Sequence, residues 1–128
     1  MSDVQPGLQV VHRRYVSYAE AHYAGNLVDG AWGLGLFGDV ATEMCIRTDG
    51  DEGLFASYSD VQFLAPVRAG DVVEATATLV RVGRRSRGMD FSLVVVARGE
   101  SHGGSESAAG ILAEPIVATT ASGTVVVP

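Results

Sequence analysis

Residues 27–47 read LVDGAWGLGLFGDVATEMCIR, and how this stretch is read decides the fold. Trp32, Leu36, Asp39 and Glu43 recur at i, i+4, i+7 and i+11, the spacing of one helical stripe. Leu34, Phe37, Val40, Ala41 and Met44 cover much of the remaining surface. A helix apolar nearly all round is a buried helix, so Leu27–Arg47 is expected at the centre of the molecule. Gly30, Gly33, Gly35 and Gly38 fall inside it, each costing about 1 kcal/mol relative to Ala. Close approach of a sheet or a second helix is the expected reason. No strand runs directly into these glycines, which argues against a phosphate loop.

Working outward, Leu8–Val16 reads as a strand, followed by the polar and small SYAEAHYAGN loop at 17–26. On the other side TDGDEG, 48–53, is a turn, and three strand patterns follow: Leu54–Leu64, Asp71–Val82 and Arg87–Arg98. Residues 99–114 carry Gly, Ser and Glu without period and read as a long surface loop before a last strand, Pro115–Val127. One strand, one buried helix and four more strands make an α+β pattern, with a curved antiparallel sheet wrapped around the helix. No internal repeat shows, and residues 1–128 are expected to form a single domain. Such a unit leaves a sheet edge and a helix end open, so a homodimer or higher homo-oligomer is expected.

Composition narrows the partners. Nine basic residues against fifteen acidic ones give a net charge of −6, which disfavours nucleic acid. All nine are Arg, so no lysine Schiff base can form. The single cysteine, Cys45, excludes an internal disulfide and reads as a small core residue. MSDVQPG at the start has no apolar signal segment, and no apolar run is long enough for a membrane span. A soluble, cytoplasmic protein is expected.

AHYAGNLVDGA (21–31), LFGDVATE (36–43), DGDEGLF (49–55), VQFLAPVRAGD (61–71), VGRRSR (82–87) and AEPIVATTASGTVVVP (113–128) together resemble the 3-aminobutyryl-CoA ammonia lyases, hotdog-fold enzymes of acyl-CoA chemistry. The likeness covers nearly the whole chain. VQFLAPVRAGD and VGRRS alone would fit almost any hotdog enzyme of acyl thioesters. The resemblance implies reversible addition of ammonia, or an amine, to the β-carbon of a short acyl-CoA. It implies no metal and no cofactor beyond the coenzyme A of the substrate, and puts Trp32 at the acyl end of the pocket.

That reaction needs a base for the α-proton, donors for the thioester oxygen, and a group to handle the amine. Asp39 and Glu43, one turn apart, are the candidate base and acid, since burial and mutual repulsion would raise a carboxyl pKa. Alternatively, Glu43 caps Arg47 at i+4. Backbone N–H groups after Asn26 and near Gly30 are the candidate oxyanion site, with Gly30 admitting the carbonyl closely. Asn26 suits either that site or a cap, and Asp29 suits N-capping. His22 is the candidate for the amine's proton or a structural hydrogen-bonding group. His12 and His102 have no such context. Arg84, Arg85, Ser86 and Arg87 form the dense basic cluster for the coenzyme's phosphates, or else a solvated hairpin turn. A thioesterase, with Asp39 activating water, and a non-catalytic thioester-binding subunit remain open alternatives.

Overall fold

The computed structural model describes residues 4–100 and 105–128; His102 lies outside them. Strand β1 spans Gln9–Tyr15 and helix α1 spans Gly30–Asp49, with a short 3-10 turn, Tyr18–Glu20, between them. Strands β2 (Leu54–Phe63), β3 (Val72–Val82), β4 (Ser86–Gly99) and β5 (Ala109–Val126) follow. They form one antiparallel sheet in the order β1-β3-β4-β5-β2. This is the hotdog arrangement expected from sequence.

Alternation places the sheet around the helix. Val73, Ala75, Ala77 and Leu79 of β3 point inward and are fully buried, as are Leu93 and Val95 of β4. The alanines leave room for α1, which rests mainly on β3 and inserts Phe37, Val40 and Met44 into the core. Phe37 stacks on Phe91 of β4 with ring centroids 5.1 Å apart. Cys45 is in this core, and burial pushes its thiol up to about 11, so it stays protonated.

Three expectations need correction. The helix begins at Gly30, three residues later than periodicity suggests, because residues 26–28 are drawn into pairing with residues 67–69. There the Ala69 N–H donates to the Asn26 carbonyl at 2.8 Å, and the Val28 N–H to Val67 at 3.0 Å. Its end is set by Gly50, in the left-handed conformation (φ 64°), whose N–H donates to the Ile46 carbonyl. The helix is not enclosed on all sides: Ala31, Gly35, Asp39, Thr42 and Ile46 form an exposed stripe. A Cβ on Gly35 or Gly38 would meet nothing, whereas one on Gly30 would lie 2.5 Å from Phe63 Cε1 and one on Gly33 3.0 Å from Leu93. Close approach therefore explains two of the four glycines within this chain. Finally, β5 starts at Ala109, so part of the segment read as a loop is strand. The run 112–115 bulges out between the Ala97–Ile111 and Val95–Ile116 pairs, which accommodates Pro115.

Candidate active site

A cavity of about 470 Å³ opens at the N-terminus of α1. Its floor is Val28, Asp29, Gly30 and Gly33 from the helix start, backed by Leu93 of β4 and Thr119 of β5. The connection after β2 supplies the opposite wall, from Phe63 through Val67, and Tyr23 and Trp32 close the side. The lining is predominantly apolar, as ligand cavities are.

The wall is pinned by a buried ion pair. Asp71, fully buried, accepts from Arg98 Nε at 3.0 Å and Nη2 at 2.9 Å and from the Arg68 backbone N–H at 2.8 Å. Arg98 also donates to the Pro66 carbonyl at 3.0 Å. These bonds explain why an aspartate follows the Ala69-Gly70 turn: one carboxylate holds Arg68 directly and Pro66 through Arg98, fixing the C-terminal side of the cavity wall. On the other side Trp32 Nε1 donates to Glu20 Oε2 at 2.7 Å, tying the 17–29 loop to the helix. That bond, above all, holds the Glu20 carboxyl below its ordinary range.

Several candidate residues meet here. Gly30 and Trp32 line the cavity. The N–H groups of Gly30 and Ala31 belong to the first helical turn and make no hydrogen bond among the described residues. Gly30 lines the cavity, so its N–H is a donor beside it, with the free Ala31 N–H on the same turn, and the helix dipole favours negative charge there. His22 stands at the rim, its Nε2 3.6 Å from Asp29 Oδ2 and its ring edge-on to Tyr23. Asp29 occupies the N-cap position but makes no capping hydrogen bond, contrary to expectation. Asn26 lies outside the helix in a left-handed turn (φ 59°), so the groups following it are not helix-start donors.

Others are placed elsewhere. Asp39 is nine residues beyond Gly30, about 13 Å along the axis, on the exposed stripe, with Arg14 Nη2 at 3.6 Å. Glu43 hydrogen-bonds His12 Nε2 at 2.7 Å and Arg47 Nε at 2.8 Å. The His12 bond, then the Arg47 bond, holds its carboxyl below the usual range. Within the single chain the expected buried, mutually perturbed carboxyl pair is therefore not formed, and Glu43's shift runs opposite to the one such a pair would give.

The basic cluster also divides. Arg87 is buried and bidentate to Asp49, Nη2 to Oδ1 at 2.7 Å and Nε to Oδ2 at 3.0 Å, while its Nη1 donates to the Gly83 and Ser86 carbonyls. A guanidinium so saturated cannot grip a phosphate, which removes Arg87 from the binding set. Ser86 Oγ accepts from Arg81. Arg84 and Arg85 remain exposed at the β3–β4 turn, beside the C-terminal end of α1. A helix of 20 residues is about 30 Å long, so they lie far from the cavity of their own chain. Among the described residues no three of His, Cys, Asp and Glu gather as metal ligands, and no helix is long and apolar enough to cross a membrane.

Sequence reasoning missed the cavity's far wall, although VQFLAPVRAGD contains it and its Pro and Gly mark a loop. It also missed Glu20 and His12, whose partners are distant in sequence.

Comparison with known proteins gives a consistent result. The thioesterase superfamily model matches residues 26–97. The chain is 50% identical over 115 residues, 88% of its length and 89% of the relative's, to 3-aminobutyryl-CoA ammonia lyase of Acetoanaerobium sticklandii. Among solved structures it is similar to β-alanyl-CoA:ammonia lyase from Clostridium propionicum, with a TM-score of 0.89, 35% identity, and coverage of 96% of this chain and 87% of that one. A hexameric thioesterase from Yersinia pestis shares the fold at a TM-score of 0.75 and 20% identity, covering 98% and 91%.

Proposed function

From membership of the thioesterase superfamily, within which this chain belongs to the family of 3-aminobutyryl-CoA ammonia lyase, we propose that it adds ammonia reversibly to the β-carbon of a short acyl-CoA, as in the pair crotonyl-CoA and 3-aminobutyryl-CoA. It is a carbon–nitrogen lyase of acyl-CoA. The observation that carries the reading is 50% identity across almost the whole chain to an enzyme of that name. The cavity agrees with it: about 470 Å³, mostly apolar, with free N–H donors at its floor, it suits a short acyl thioester.

In this reading the thioester carbonyl accepts from the N–H groups of Gly30 and Ala31. As the α-proton leaves, charge builds on that oxygen, and the fixed donors and helix dipole stabilise it without reorganising. Trp32, held by Glu20, bounds the acyl end. Asp39 is the proposed base. It is too far along α1 to serve the cavity of its own chain, so the site is completed between two copies, with Asp39 of one reaching the cavity of the other. The exposed Arg84 and Arg85 serve the coenzyme's phosphates in the same shared manner. Glu43 positions His12 and Arg47 and does not act on substrate. The lone buried thiol suits a reducing compartment, and the cytoplasm is the proposed location.

The test is mass spectrometry of crotonyl-CoA incubated with the protein and ammonia. An amine adduct is expected. Free acid would instead establish hydrolysis, and unchanged thioester with measurable binding a non-catalytic role. Asp39→Asn should keep fold and binding and lower turnover by roughly a hundredfold. Retained turnover removes Asp39 as the base.

A further inference from the structure

Asp29 is the single formally charged side chain among the residues lining the cavity. At the N-cap, with extended backbone (φ −77°, ψ 163°), an aspartate ordinarily turns back to accept from the N–H groups of the first helical turn. Asp29 does not. Its carboxylate points instead to His22 at the rim, 3.6 Å away, with 31% of the side chain exposed. Two things follow from this orientation. The Ala31 N–H, which a cap would take, stays free alongside that of Gly30, and a negative charge stands on a mostly apolar wall beside the helix start.

A group binding at those donors through its carbonyl oxygen brings its β-substituent, two carbons away, to the adjoining wall. A neutral substituent would gain nothing from a carboxylate there, whereas an ammonium entering an apolar cavity needs an opposite charge. We propose that Asp29 receives the β-ammonium group of the substrate, with His22 at its back, and so selects β-amino acyl thioesters over neutral ones. This rests on the lyase reading. In the elimination the base takes the α-hydrogen as a proton and the C–H pair becomes the Cα–Cβ double bond. The C–N pair leaves on nitrogen, so the ammonium departs as neutral ammonia. Asp29 is chemically unchanged and holds the nitrogen until that bond breaks. In the addition it stabilises the positive charge that forms on nitrogen as ammonia attacks.

The experiment compares two unreactive probes by calorimetric titration. 3-Amino-2,2-dimethylpropionyl-CoA has no α-hydrogen and cannot eliminate, and 2,2-dimethylbutyryl-CoA replaces its ammonium by a methyl group of similar size. The wild type should bind the ammonium probe tighter by about tenfold or more, the scale of a charged hydrogen bond. Asp29→Asn should abolish that preference while changing the affinity for the neutral probe by less than about twofold. Asp29→Ala, which carries no charge and cannot cap, leaves the helix-start donors free; it should do the same and guards against an Asn variant that turns back to cap the helix or folds poorly. A preference that persists in either folded variant, or is missing in the wild type, overturns the assignment. Whether the wild type forms the crotonyl-CoA adduct is measured separately, so loss of the lyase reading and loss of Asp29's role are distinguishable.

Discussion

Arg84, Arg85 and Arg87 stand within four positions of one another and do different work. Arg87 is buried against Asp49, and breaking such a pair strands the remaining charge. Arg87→Ala should cost about 3 kcal/mol of stability, read as a lowered midpoint in urea unfolding. Arg84→Ala and Arg85→Ala, at exposed positions, should change stability by less than about 0.5 kcal/mol. They should raise KM for acyl-CoA, with a weaker salt dependence and kcat nearly unchanged, the behaviour of remote uniform binding. The pair also sets an acid limit. Arg87 holds the Asp49 carboxyl below its ordinary range, so the unfolded chain takes up a proton there before the folded one does. The contribution is therefore complete above the ordinary aspartate range and is lost as pH falls through the depressed folded value. Stability against pH should accordingly fall less steeply in acid for Arg87→Ala than for the wild type.

At the scale of elements, the contact between the start of α1 and the end of β2 shapes the cavity mouth. Gly30→Ala would drive a Cβ into the outer edge of the Phe63 ring, which is more than half exposed and free to swing. The fold should survive with little change in melting temperature, while kcat/KM falls by about tenfold or more as the displaced ring narrows the acyl site. Unchanged kcat/KM would mean that the mouth lies elsewhere. The same elements show what a sequence can reveal. The helix and four of the five strands are legible from periodicity to within about three residues, because alternation in VVEATATL and spacing in the Leu36–Met44 run are local properties. The helix start is not, because pairing of Asn26–Val28 with Val67–Ala69 overrides the local preference. Gly30 is legible as a cavity residue from its place at the helix start, and Trp32 only through the resemblance; both line the cavity. Asp29 reads as an ordinary cap, since which way a carboxylate turns depends on His22 and on the wall across the cavity. Arg87 resembles its neighbours until Asp49, 38 residues away, is seen to hold it.

For the whole molecule, β2 is an edge strand with Leu54 and Phe63 exposed and Leu64 exposed just beyond it, and α1 presents its outward stripe uncovered by its own sheet. An open apolar edge and an uncovered helix face favour pairing of copies. Sedimentation should find no compact monomer at low micromolar concentration, and a folded monomer there would refute obligate pairing. The separation of Asp29 and Asp39 along one helix has a genetic consequence if the site is shared. Asp29→Asn damages the cavity that a chain owns, and Asp39→Asn damages the group it lends to its neighbour. A dimer built from one chain of each kind gathers both lesions in one site and leaves the other site intact. Random mixing makes half the dimers mixed, so the two impaired proteins, unfolded and refolded together, should recover about a quarter of wild-type activity, above either alone. If each chain worked alone, the mixture would recover nothing.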